Sequence, residues 1–293
     1  MSSGGRVLAV WISLAALFAA GAAAHPGAGI VVDAQGAIIF ADGHTGIWKI
    51  DTQGQITRIS KRSYHWLAID AEGHFFKSRL DQYNRISPKG SKPALLAGND
   101  RPIVVGLDKN LYHAACHFGG PLLVMRVKPD GERFVLADVP ADGYTTRMCP
   151  VNGIAVTPEG SVYFTEPQSV TKVSKEGTIS PVAGPVTVSD CAPVAGVIEG
   201  WKPFLRGLAA DSSGTVYVAA SGCGVVLKIA PGGATSTVLK AESPWSPTAV
   251  AISGRDLIVL ESVHSTKSSK PAVRVRKVSA DGAVTVVGTL GQP

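Results

Sequence analysis

Short runs of alternating apolar and polar residues, cut by turns rich in glycine and proline, recur along this chain. The clearest case spans residues 149–184. Residues 154–157 alternate, Pro158-Glu159-Gly160 turns, and residues 162–166 are β-branched and aromatic. A third run covers 170–174, Lys175-Glu176-Gly177 turns again, and a fourth covers 178–183. Period-two runs joined by tight turns predict an antiparallel meander.

The same order repeats. First strands are expected to begin near Ile30, Leu67, Val105, Ile154, Leu208 and Val250. Apolar second strands follow at 37–41, 75–78, 111–115, 162–166, 216–220 and 257–261, and third strands at 46–51, 83–87, 123–127, 170–174, 225–229 and 273–278. Turns such as Asp51-Thr52-Gln53-Gly54, Pro129-Asp130-Gly131 and Ala280-Asp281-Gly282 then lead into short fourth strands. Units of roughly 37 to 54 residues cannot bury both faces alone, but a closed ring of them can. The pattern predicts an all-β, six-bladed β-propeller of four-stranded antiparallel blades, with each blade drawn from one repeat. The ring is then expected to close by face packing, without strand exchange. A β-sandwich would not explain the repeated order.

Residues 1–24 read as a cleaved signal peptide. Arg6 supplies a positive start, residues 7–20 are apolar, and Ala22-Ala23-Ala24 gives a small-residue cleavage site before His25. An uncleaved anchor is the competing reading. The expected mature protein, residues 25–293, is a single domain, secreted or periplasmic and off the membrane. Composition agrees: hydrophobic residues make up 45% and charged residues 17%, with 33 glycines and 19 prolines, as a turn-rich β chain requires. The formal charge is +6, but Lys and Arg are scattered, and clusters such as Arg274, Arg276 and Lys277 read as solvated surface. No aromatic-basic groove accompanies them, so nucleic acid is not an expected partner. A monomer is expected.

Three long joining segments, 138–150, 185–203 and 262–271, all fall on one face of such a ring, as do all four cysteines. Long loops on a rigid scaffold are where binding concentrates. In an exported chain, Cys116, Cys149, Cys191 and Cys223 predict two disulfides. Loop proximity favours Cys116–Cys149 with Cys191–Cys223, and Cys149–Cys191 is the rival pairing. His113-Ala114-Ala115-Cys116-His117 lacks the first cysteine of a covalent-haem pentapeptide, and no C-x-x-C pair occurs, which argues against haem and structural zinc.

The residues leading into the first strands should ring the axial mouth. They are Ala28, His65, Ile103, Asn152, Arg206 and Thr248. Asp42, Glu166 and Glu261 end second strands on the same face, and Arg79 holds the matching place in blade two. His65, Asn152, Arg206, Thr248, Glu166 and Asp42 are therefore the candidate ligand-binding set. Each also has a purely structural role open to it: Asn152-Gly153 as a turn, His65 as a core histidine beside Trp66, Arg206 as a link between blades. His44 either caps its turn or reaches the mouth.

Pro150-Val151-Asn152-Gly153-Ile154-Ala155-Val156-Thr157-Pro158-Glu159-Gly160 resembles the P-N-G repeat of gluconolactonase/regucalcin-like propellers. Residues 41–51 resemble an NHL repeat. The resemblance covers essentially the whole mature chain. It implies one divalent cation, Ca²⁺, on the axis, with Asn152 as a ligand. In those lactonases the other ligands are Glu, Asn and Asp; here the corresponding positions hold Ala28, Ile103 and Arg206. Strictosidine-synthase-like and virginiamycin-lyase-like propellers share the architecture.

Three functions follow as expectations. The first is an exported propeller that binds a small ligand, anionic if Arg206 reads it, or a protein at the loop face. The second is a gluconolactonase-like, metal-assisted lactone or ester hydrolase, with Asp42, Glu166 or Asp190 as replacement ligands. The third is a virginiamycin-lyase-like lyase with His65 as general base.

Overall fold

A computed structural model describes residues 29–75, 83–98, 101–116, 121–140, 150–191, 202–263 and 271–292. The expected signal peptide, the tips of the three long segments, Arg79 and Cys149 lie outside the described residues.

Polar side chains set the turns on one face of the molecule. Asp33 Oδ1 accepts the amides of Gln35 and Ala37 at 3.0 and 2.8 Å, and Gly36 closes the turn at φ +87°. Asp51 and Asp211 repeat the arrangement. A short acceptor at the first position and a glycine three residues on, free to adopt positive φ, reverse the chain tightly. These turns bring successive strands side by side.

The strands assemble into six radial sheets. Blade one comprises β1 (Ile30–Val32), β2 (Ile38–Asp42), β3 (Gly46–Ile50) and β4 (Ile56–Ser60). Blade two has β5 (Trp66–Asp70), β6 (Asn84–Arg85) and β7 (Ala94–Gly98). Blade three has β8 (Ile103–Val105), β9 (Leu111–Cys116), β10 (Leu122–Val127) and β11 (Arg133–Val139). Blade four has β12 (Gly153–Val156), β13 (Val162–Thr165), β14 (Val170–Val173) and β15 (Ile179–Ala183). Blade five has β16 (Leu205–Ala210), β17 (Val216–Ala220), β18 (Val225–Ile229) and β19 (Thr235–Lys240). Blade six has β20 (Trp245–Ser253), β21 (Asp256–Val263), β22 (Ala272–Val278) and β23 (Val284–Leu290).

Five blades are antiparallel four-stranded meanders in chain order; blade two departs from this. Its described residues form three strands, with β7 paired directly to β5 and β6 outside it. The strand expected at 75–78 does not appear at Phe75, and 76–78 lie outside the described residues. A strand flanked on both edges inside a blade must be apolar on both faces. Ala94-Leu95-Leu96-Ala97-Gly98 meets that need and is buried throughout.

Alternation along the inner strands feeds two seams at once. Ile38 and Phe40 of β2 face blade six, whereas Ile39 and Ala41 face blade two. Each of the six seams between blades thus carries its own apolar cluster. No strand passes between the first and last blades among the described residues. The ring closes by packing Ile30, Phe40 and Ile50 against Ala249, Leu260 and Val275.

The seam between blades two and three contains one titratable misfit. His113 of β9 is 3% exposed. Desolvation, aided by the positive charges of Arg101 and Arg133, pushes its pKa down to about 4. Between that value and the ordinary 6.5, the unfolded chain binds a proton that the folded chain refuses, so stability rises with pH across this window. Acidification from pH 7 to pH 4 should therefore cost about 3 kcal/mol through this residue. In urea unfolding series, His113→Met should flatten that part of the stability–pH curve.

Candidate functional site

The first strands converge on the axis and leave a cavity of about 50 Å³. Its walls are Gly29, Trp66, Ile103, Gly153, Gly207 and neighbouring apolar side chains of the same strands. The convergence is tight enough to demand glycine. A Cβ on Gly29 would lie 2.7 Å from the Leu67 amide nitrogen, and one on Gly153 would lie 2.7 Å from the Arg206 carbonyl oxygen. The hub is therefore narrow, lined by glycine backbone and by apolar side chains.

Three of the six candidate residues each stand one position before a residue that lines the cavity. His65 precedes Trp66, Asn152 precedes Gly153, and Arg206 precedes Gly207. Trp66 bridges blades two and four: its indole Nε1 donates to the Asn152 carbonyl at 3.1 Å. His65 lies edge-on to the Trp66 ring at 5.3 Å, and its amide donates to Gly98. The Asn152 amide donates to Thr165, whose hydroxyl donates to the Arg206 carbonyl at 2.7 Å. A chain of contacts thus runs from blade two through blade four to blade five.

Arg206 is 7% exposed, and its guanidinium carbon lies 5.9 Å from the Phe204 ring centroid. Desolvation pushes its pKa down to about 10, which leaves it cationic at neutral pH. The register of β16 against β17 breaks between Leu205 and Leu208, next to this residue. Such a bulge re-aims a side chain and is frequent beside functional sites.

The other three candidates are placed differently. Thr248 has no exposed surface, and its hydroxyl lies 3.4 Å from the Leu260 carbonyl. The sequence pattern started this strand near Val250, but β20 begins at Trp245, so Thr248 lies inside the sheet rather than ahead of it. For the same reason Ile103 and Arg206 belong to strands. Asp42 is buried within its own turn, accepting from the His44 amide at 3.1 Å and from the Thr45 hydroxyl. His44 itself is exposed. Glu166 accepts from the Ser169 hydroxyl at 3.0 Å, and desolvation raises its pKa. Asp190 is exposed.

The axial cation implied by the lactonase resemblance meets an unsuitable set. Asn152 is the one matching donor, and the buried charge of Arg206 stands where an acid would be needed. Among the described residues no group of three or more His, Cys, Asp and Glu is arranged to hold a metal.

Cys191 and Cys223 form a disulfide with Cα atoms 4.6 Å apart, as expected from loop proximity. Cys116 is also disulfide-bonded, and Cys149, its expected partner, lies outside the described residues. The Cys191–Cys223 bond ties the blade-four-to-five segment to the turn that follows β17. Among the described residues no helix is long and apolar enough to cross a membrane.

One expectation about surface charge is overturned. Arg274 and Arg276 are not solvated: both side chains are folded onto Glu261 in the seam between blades five and six. Their spacing of two along a strand puts them on one face, and a buried acid on the neighbouring strand holds them there. The period was visible in the sequence, but the pairing with Glu261 was not.

The fold and hub together define a six-bladed β-propeller with a closed, glycine-collared axis. No protein-family model and no curated protein matches the sequence. By structure the chain is similar to a luciferin-regenerating enzyme, at 15% identity and TM-score 0.55, covering 91% of this chain and 93% of that one. It is similar to regucalcin, a calcium-binding protein from Agrobacterium tumefaciens, at 15% identity and TM-score 0.52, covering 83% and 84%. It is also similar to virginiamycin B lyase from Staphylococcus aureus, at 14% identity and TM-score 0.51, covering 88% and 83%. These likenesses support the gluconolactonase/regucalcin-like resemblance at the level of the fold, and at such identities they speak to the fold alone.

Gly153→Ala should destabilise the protein by about 1–3 kcal/mol in denaturant unfolding, because the added methyl meets backbone of the next blade. Replacing Cys191 and Cys223 together by serine releases a loop of sequence separation 32 and should cost about 3 to 4 kcal/mol by the same measurement.

Proposed function

We propose that this protein is an extracytoplasmic propeller that binds a small anionic ligand at the axial mouth of its loop face. One observation carries the reading: Arg206, one position before the cavity-lining Gly207 and beside a strand bulge, is buried and stays charged at neutral pH. A buried cation within reach of the mouth favours an anion, and the planar fork of arginine suits a carboxylate or phosphate in particular. In this reading the His65 imidazole, edge-on to Trp66, and the side chain of Asn152, whose backbone carbonyl accepts from Trp66, add hydrogen-bonding groups. The disulfide between Cys191 and Cys223 supports an oxidising compartment and a loop face held in one arrangement. Binding is favoured over metal-assisted lactone hydrolysis because the rim offers a cation and one amide where a metal needs several acids. The lyase reading would require His65 to act as base; its packing against Trp66 equally suits a binding group.

The test is a thermal-shift screen of small carboxylates and phosphates against the purified protein. A ligand at ten times its dissociation constant should raise the melting temperature by about 3 °C. Arg206→Ala should abolish the shift, and Arg206→Lys should weaken it. A shift of equal size in Arg206→Ala, or lactone turnover that needs an added divalent cation, would defeat the reading.

A further inference from the structure

The outer edge of blade six differs from the other edges of the wheel. β23 is the last strand of its sheet, and among the described residues β22 is its one strand neighbour. The hairpin between them fixes which groups point outward. The Ser279 amide donates to the Ala283 carbonyl and the Gly282 amide to the Ser279 carbonyl, each at 2.8 Å, so Ser279 and Ala283 form a hydrogen-bonded pair. Such pairs alternate with non-bonded ones along an antiparallel ladder. In the register of β22 against β23 the next bonded pair is therefore Lys277 with Thr285, and Val284 and Val286 aim their N–H and C=O groups away from the sheet. Their side chains, both on one face, are 43% and 58% exposed.

Edges of this kind are normally guarded by charge or proline, because open backbone groups recruit other strands. The matching outward positions in other blades follow that rule: β4 has Arg58, β11 has Arg133 and β15 has Pro181. Thr235 and Thr237 of β19 are uncharged but polar. Outermost in blade two, β6 is two residues long. Val284-Thr285-Val286 alone among these combines open backbone with exposed apolar side chains and neither charge nor proline. The irregularity of this edge lies beyond Val286, toward Gly288, so the three residues keep a regular ladder.

We propose that β23 pairs with the β23 of a second copy of this chain, antiparallel and about a two-fold axis at Thr285. Val284 of each copy then faces Val286 of the other, and each such pair exchanges two N–H···O=C bonds, which uses every outward group of the stretch. The stretch reads the same in both directions, so one set of contacts is made twice. A chain of formal charge +6 opposes its own copy at Arg58 or Arg133 but not at these valines. Two four-stranded blades become one continuous sheet, and the wheels meet rim to rim. Three residues a side bury far less than the ~1,600 Å² of a standard interface, so the dimer is weak and forms as concentration rises. Dilute protein is the monomer expected from the sequence.

Sedimentation velocity of the unmodified protein across a wide concentration range tests the pairing. The apparent mass should climb from one chain toward two, and hydrogen exchange at Val284 and Val286 should slow as it climbs; this measurement needs no variant. Val286→Pro removes one outward N–H and copies what blade four already carries at Pro181, so the variant should fold and lose the dimer. Thr285 sits at the two-fold, in a non-bonded pair whose Cα atoms approach to about 4.5 Å, within disulfide range. Among the described residues no cysteine is free to compete. Thr285→Cys should therefore be trapped as a covalent dimer on oxidation, and Val135→Cys, on the edge of blade three, should not. A dimer that survives Val286→Pro, or equal cross-linking by the two cysteine variants, would overturn the proposal. So would a chain that stays monomeric at every concentration, even one whose β23 edge is protected by an added extended peptide.

Discussion

Backbone crowding at the axis is the constraint on which the rest of the molecule depends. Six sheets radiate from one line, so their innermost strands must approach more closely than side chains allow. Gly29 and Gly153 meet that demand where a methyl group would strike the next blade. Apolar first strands fill what is left. A hub built this way leaves a cavity of only about 50 Å³. His65, Asn152 and Arg206 each precede a residue that lines it.

Away from the axis the blades separate, and the seams must be filled. Strict alternation lets one strand serve two seams, which is why the second strands are buried on both faces and read as continuous apolar runs. Most seams are filled by Val, Ile, Leu and Phe. The ring closes across blades six and one by the same packing, with Ile30, Phe40 and Val275 in contact, and needs no shared strand. At two of these seams the apolar cluster is joined by a buried histidine or by buried charges. His113 sits as a neutral imidazole between blades two and three. Glu261, Arg274 and Arg276 place three charges between blades five and six. Burial gives these groups opposite fates. A lone imidazole escapes the desolvation cost by losing its proton, whereas Arg274 and Arg276 keep their charge and pair with Glu261.

The loop face combines rigidity with variation. Strand ends, a short 3₁₀ turn at Ser221–Cys223 and the Cys191–Cys223 bond fix part of it. Binding sites gain from such pre-organisation, because loops already ordered lose less entropy when a ligand arrives. The same scaffold carries unrelated activities in the similar structures, so the rim residues, and not the wheel, must set what this chain recognises.

Much of this was written in the chain itself. The alternating runs, their spacing and the glycine turns determined the blade number and the strands of five blades, because strand periodicity and turn chemistry are local. Counting back from strand starts reached residues next to the cavity lining in three blades, His65, Asn152 and Arg206. Tertiary structure decided what counting could not. It ran β20 back to Trp245 and so enclosed Thr248, placed the fully apolar β7 beside β5, folded Arg274 and Arg276 onto Glu261, and bridged blades two and four through Trp66. Each of these depends on a neighbour distant in sequence, and burial and charge pairing are properties of that neighbour as much as of the residue.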